Sequence, residues 1–267
     1  MTLSNPKKGL PLKRRTVVTS LAGLSLAAIL ADPALAKERA SLLQTIQIKT
    51  NKLGKSVTGS LALPKNLNKE SPAVLLVHEW YGLNDQIRSV AADLADQGYI
   101  VLAADLYNRK IGFTRKECSA LMGAVVAEEA EDTLVSWIEW LRTHEDSTGK
   151  VGIVGWCFGG GWALKTSLAT PVDATVVYYG DVTPKAEELA KLSGPVLGHF
   201  ATEDTWINSE MVAGFEDEMT KAGKPVCIYN YEAEHAFANP TKVSYDDEDA
   251  AKAWKRTTKF FKRNLKS

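Results

Sequence analysis

The sequence predicts an α/β fold: a mostly parallel sheet with helices on both faces. Three observations carry this. Short apolar runs alternate with helical patterns over the last three quarters of the chain. Repeated strand, helix, strand order needs crossover connections, which give parallel strands covered on both sides. Several runs, such as Ala73 to Val77, are apolar throughout, as strands buried on both faces are. The 267 residues are 45% hydrophobic and 24% charged, which suffices for one sizeable core.

The elements follow in order. Leu43 to Thr50 and Ser56 to Leu63 alternate apolar and polar residues around the turn Asn51 to Lys55, the pattern of an antiparallel hairpin. Ala73 to Val77 is a buried strand. Gln86 to Gln97 has helical spacing (Ile87, Val90, Ala91, Leu94) and stops at Gly98. Tyr99 to Ala103 is the next strand, and Thr114 to Thr143 is helical with a break near Val126. Strands at Val151 to Val154, Ala174 to Tyr178, Val196 to Phe200 and Val226 to Tyr231 alternate with helices at Gly159 to Ala169, Lys185 to Leu192 and Ser209 to Ala222. Asp246 to Leu265 closes the chain as an amphipathic helix with Trp254, Phe260 and Phe261 inward. No repeat or low-complexity tract interrupts this order.

Residues 1–36 read as an export signal preceding a single domain over 37–267. Lys13-Arg14-Arg15 stands before an uncharged run from Thr16 to Ala31, and Ala34-Leu35-Ala36 offers small residues where a signal peptidase cuts. The arginine pair resembles a twin-arginine signal. It is followed by Thr16, Val17, Val18 and Thr19, which departs from that pattern, and a Sec signal is the alternative. The run is too short and too rich in Gly, Ser and Thr for a membrane span, so no stable anchor is expected after cleavage. The expected location is periplasmic or secreted, with the export machinery as the partner of the signal.

The formal net charge is +0, but five basic residues and one acid lie in the first 36 positions, leaving the rest net acidic by four. Such a body gives no electrostatic case for nucleic acid. Three cysteines exist, Cys118, Cys157 and Cys227. An odd number in an oxidising compartment leaves at least one thiol free. Cys118 and Cys227 are the pair that could bridge.

The strongest local signal is Gly155-Trp156-Cys157-Phe158-Gly159, followed by Gly160 and Gly161, between a strand and a helix. This is the arrangement of a nucleophile elbow. The central residue occupies a strained turn, and the flanking glycines let strand and helix approach closely. The helix start behind Cys157 offers unpaired N–H groups and a positive dipole end, which favour thiolate. The Phe158 N–H would face a developing oxyanion. A glycine-rich turn around a core cysteine is the plain alternative. A phosphate-binding loop would carry Lys-Ser or Lys-Thr after its glycines, and none follows.

An elbow of this kind belongs to the α/β-hydrolase fold, where nucleophile, acid and base follow in that chain order. Of the four histidines, His78 and His144 precede Cys157, and His199 lies within a strand. His235 follows the last strand, in the loop Glu234 to Phe237, where the base belongs. The acid must leave the carboxyl end of the preceding strand. Asp204 does so, with Glu203 as the fallback. The loop after the first parallel strand supplies the second oxyanion N–H in this fold, here from Trp80, and it carries one more carboxylate, Glu79.

Taken together, these segments resemble the dienelactone hydrolase family of cysteine-dependent α/β-hydrolases over about residues 57 to 264. The resemblance rests on Glu79-Trp80-Tyr81-Gly82-Leu83-Asn84, Ala103-Ala104-Asp105-Leu106-Tyr107, Gly155 to Gly160, Tyr178-Tyr179-Gly180 and His235-Ala236-Phe237-Ala238. It implies a Cys157, His235, Asp204 triad. It also implies that Glu79 holds the resting thiol and swings aside when substrate arrives. One departure stands out. Where family members acting on dienelactone carry an arginine four residues after the histidine, this chain has Asn239. Arg115 is a loosely aligned counterpart of a second substrate arginine.

The expected function is hydrolysis of a small ester or lactone through a thioester on Cys157. No cofactor is called for, and no metal-ligand spacing appears. The competing readings are a thiol redox protein, which lacks a Cys-x-x-Cys pair, and a non-catalytic binding module on a hydrolase fold.

Overall fold

The computed structural model describes residues 26–65 and 70–266. The Lys13-Arg14-Arg15 stretch therefore lies outside the described residues. The elements run α1 (Leu26–Ala31), α2 (Pro33–Ala40), β1 (Gln44–Lys49), β2 (Ser56–Ala62), β3 (Ser71–Val77), α3 (Asp85–Asp96), β4 (Ile100–Ala104), α4 (Arg115–Gly123), α5 (Ala127–Arg142), β5 (Ser147–Trp156), α6 (Phe158–Ala169), β6 (Ala174–Tyr178), α7 (Ala186–Leu189), β7 (Val196–Ala201), α8 (Ser209–Lys221), β8 (Val226–Tyr231) and α9 (Asp247–Leu265).

The strands form one sheet in the order β1-β2-β4-β3-β5-β6-β7-β8. β1 and β2 pair antiparallel, as do β2 and β4, and every later pairing is parallel. The α/β-hydrolase architecture expected from the sequence is the one found.

Side chains of β3 show how the sheet holds two layers together. Val74 and Leu76 join one apolar cluster with Val90 and Leu94 of α3 and Phe261 of α9. Ala73, Leu75 and Val77 face the opposite cluster with Leu134, Trp137 and Ile138 of α5. This is the two-residue period of a strand, with both faces covered. Fully burying a side chain such as Phe261 contributes about 1.5–3 kcal/mol. A third cluster, from Val177, Phe200, Phe215 and Met219, seats α8.

Helix starts are set locally. Asn84 accepts from the Ile87 N–H and caps α3. Thr114 and Glu117 cap each other's backbone at the start of α4. The expected break at Val126 is present, since Val126 is the extended residue that separates α4 from α5.

Residues 26–40 form two short helices laid against α3. Ile29 and Ala36 are buried, the Ser89 hydroxyl donates to the Ala36 carbonyl, and the Arg39 guanidinium pairs with Asp96. Cys118 is buried on α4, Cys227 is exposed on β8, and both are free, so the bridge considered between them is not formed.

Candidate active site

The site lies at the carboxyl ends of the parallel strands, and the chain reaches it by a tight turn. Cys157 follows β5 with φ 53° and ψ −117°, a conformation that costs a non-glycine residue on the order of 1–3 kcal/mol. The elbow closes only because its flanking residues lack a Cβ. A Cβ on Gly155 would stand 1.9 Å from the Gly159 carbonyl oxygen, and one on Gly159 would stand 2.3 Å from that of Val77. The strained turn lifts the thiol out of the strand line and points it at the loops.

Two of those loops bring the partners. His235 Nε2 lies 3.1 Å from Cys157 Sγ. Its Nδ1 lies 2.6 Å from Asp204 Oδ2. The other carboxylate oxygen of Asp204 accepts from the Trp206 and Ile207 N–H groups at 2.8 and 3.0 Å, which fixes the acid on its loop. Glu203, the fallback acid, lines the cleft and has no such bond. The Trp206 ring packs edge-on against His235 at 4.9 Å, and Tyr179 does the same at 5.1 Å. These two rings hold the imidazole in its plane.

The thiol opens into a cleft of about 450 Å³. Glu79, Trp80, Arg115 and Lys242 stand in its walls.

The sequence profile of the dienelactone hydrolase family matches residues 57–265. The chain belongs to the dienelactone hydrolase family. It is 31% identical over 251 residues to a Saccharolobus solfataricus protein assigned as a carboxymethylenebutenolidase, covering 79% of this chain and 95% of that one. It is 25% identical over 205 residues to carboxymethylenebutenolidase 1 of Cupriavidus pinatubonensis, covering 73% and 87%. Among solved structures, a dienelactone hydrolase-like promiscuous phosphotriesterase from metagenomic libraries superimposes with a TM-score of 0.74 at 21% identity, over 84% of this chain and 99% of that one. At that identity the likeness is one of fold.

In this family member the resting thiol is not held by Glu79. The sulfur is hydrogen-bonded to His235, and both Glu79 oxygens are taken elsewhere, one by the Asn239 amide and one by the Tyr179 hydroxyl. The implied grip of Glu79 on the thiol is thus replaced by an effect of charge. Burial pushes the Cys157 thiol up to about 12, with the nearby Glu79 charge as the next cause. The N–H of Phe158 acts the other way, as expected from a helix start, but it is outweighed.

Glu79 is itself raised above the usual carboxylate range by burial, against the opposing pull of His235, the Asn239 hydrogen bond and the Lys242 ammonium. Burial would also raise Asp204. There the hydrogen bonds from His235, Ile207 and Trp206 win, and its pKa is held below the ordinary value.

Two of the three histidines set aside, His78 and His199, are buried and structural. His78 is buried against the Glu79 carbonyl and the Leu106 N–H. His199 is buried between the Tyr231 and Thr257 hydroxyls, and burial lowers it to about 3.

Sequence reasoning missed Tyr179, Trp206 and Lys242 as parts of the site. Tyr179 could have been found from its place directly after β6, at the strand end facing the elbow. Trp206 and Lys242 sit on loops and carry no comparable signal.

Proposed function

We propose that this chain hydrolyses small carboxylic esters or lactones with Cys157 as nucleophile. The observation that carries the reading is the unbroken line from thiol to imidazole to carboxylate, 3.1 and 2.6 Å, built on a strained elbow. His235 takes the thiol proton as the sulfur attacks the carbonyl carbon. Asp204 fixes the ring tautomer and steadies the imidazolium that results. The N–H groups of Phe158 and Trp80 receive the oxyanion. The leaving oxygen takes the proton from His235, and an acyl thioester remains on Cys157. His235 then deprotonates water, which attacks the thioester and frees the acid.

The high thiol pKa in the resting site makes Cys157 a poor nucleophile until a substrate changes its surroundings. Burial is the main cause of this state and the Glu79 charge adds to it, so Glu79 acts as a gate that substrate can release. A resting thiol kept protonated resists oxidation, which suits a lone cysteine outside the cytoplasm. Export of the chain, by a twin-arginine-like signal over residues 1–36, is part of the same proposal.

A thiol redox role is disfavoured because His235 and Asp204 are spent on orienting a base, which a redox thiol does not need. The deciding experiment is turnover of a small activated ester before and after iodoacetamide. The hydrolase reading requires activity that alkylation removes. No activity, or activity that alkylation leaves intact, rejects it.

A further inference from the structure

A second cleft, of about 380 Å³, also reaches the nucleophile. Of all its wall residues, it shares only Cys157, Trp206 and His235 with the first cleft. The two therefore approach the thiol from different directions. Their chemistry differs as well. The first holds Arg115 and Lys242, neither within ion-pair reach of a carboxylate among the described residues, together with Glu203 and Glu234. The second is walled mainly by Met122, Val125, Trp162 and Ile207, and its one ammonium and one carboxylate, Lys165 and Asp181, pair with each other at 3.6 Å. The nine-residue helix α4 serves both, with Arg115 at its start over one cleft and Met122 near its end over the other.

This division bears on what is cleaved. In a lactone the acyl and alkoxy parts are one short ring, and a single cleft holds both. In an open-chain ester the two parts leave the carbonyl carbon in different directions and separate after cleavage. Ligand pockets of about 300–1,000 Å³ hold drug-sized molecules, so each cleft here has room for a substituent of ring size.

We infer that the substrate is an open-chain ester with a charged or polar group on one side of the scissile bond and an apolar, ring-sized group on the other. The polar part lies in the cleft of Arg115 and Lys242, and the apolar part in the cleft of Met122, Val125 and Trp162. In acylation the C–O bond breaks as the S–C bond forms. The alcohol leaves its cleft with the proton that His235 took from the thiol, and the acyl part stays in the other cleft until water removes it. This inference rests on the cysteine-hydrolase reading and adds the substrate class to it.

The test uses two matched pairs of esters and one lactone. In the first pair, benzyl and methyl hydrogen succinate, the apolar group is on the alcohol. In the second, the carboxymethyl esters of phenylacetic and acetic acid, it is on the acyl side. The lactone is γ-butyrolactone. In at least one pair the aromatic member should have the higher kcat/KM by about tenfold or more, the scale of one well-filled apolar subsite. Val125→Trp fills the apolar cleft without touching the thiol, imidazole or carboxylate groups. It should bring the aromatic member down to the kcat/KM of its methyl partner, and a melting temperature unchanged from wild type shows that the variant folds. No aromatic preference in either pair, or an equal loss on all substrates, overturns the inference while the hydrolase reading stands. A wild-type protein that cleaves none of them overturns both.

Discussion

The side-chain amide of Asn239 donates a hydrogen bond to the buried carboxylate of Glu79, across 160 positions of chain. Tyr179 binds the other oxygen at 3.4 Å. Glu79 is thereby fixed near Cys157 with its charge felt by the thiol, while its hydrogen bonds are spent on other groups. The position where the family resemblance calls for a substrate arginine is used here to hold Glu79.

Glu79→Gln removes that charge and keeps the size. The thiol of the variant should titrate lower than in the wild type, because a like charge no longer opposes the thiolate. Its alkylation by iodoacetamide should therefore be faster near neutral pH, and ester turnover should fall. Alkylation rate against pH, measured for both proteins, checks this. Superimposable profiles with unchanged turnover would remove Glu79 from the mechanism.

The same substitution has a pH signature in stability. The folded pKa of Glu79 lies above its unfolded value, with burial as the main cause. Its contribution to stability is thus full below the unfolded pKa and is lost as pH rises through the folded one. Glutamine does not titrate. The melting temperature of Glu79→Gln relative to wild type should climb as pH rises from the ordinary carboxylate range through the folded pKa of Glu79. A difference that is flat or falls over this range would contradict the burial argument.

Asp204→Asn keeps the shape of the side chain but not the charge that orients and supports His235. It should lower kcat by about 100-fold or more, with little change in melting temperature, since acid–base catalysis typically supplies 10²–10⁴-fold. Steady-state kinetics with an activated ester give the answer, and a loss below about tenfold would assign the acid elsewhere, with Glu203 the next candidate.

The strands and the elbow were legible because each has a short-range signature. Apolar runs mark buried strands, and Gly155, Gly159 and Gly160 mark a turn that no Cβ could enter. His235 and Asp204 were legible from chain order together with their places after the last two strands. What could not be read was set by contacts between distant residues. Asn239 was visible as a missing arginine, not as the partner of Glu79. The thiol was expected to be favoured by the α6 start, but its pKa is governed by burial and by Glu79, neither of which spacing reveals. The apolar cleft is assembled from α4, α6 and the loop after β7, so no segment shows it alone.

Export carries its own test. Cleavage after Ala36 would release α1 and the first half of α2, break the Ser89 bond to the Ala36 carbonyl, and leave Arg39 on Asp96. N-terminal sequencing of the protein from the periplasmic fraction should begin at Lys37. A cytoplasmic protein that begins at Met1 would end the proposal.

The central claim is a covalent acyl group on Cys157. Acid quenching during turnover of a small activated ester, followed by peptide mass analysis, tests it most directly. The account predicts a mass increase of one acyl group on the peptide containing Cys157, discharged by hydroxylamine and absent from Cys157→Ala, which should be folded and inactive. An unmodified Cys157 peptide during rapid turnover, an acyl group on another residue, or a Cys157→Ala protein that retains activity would contradict it.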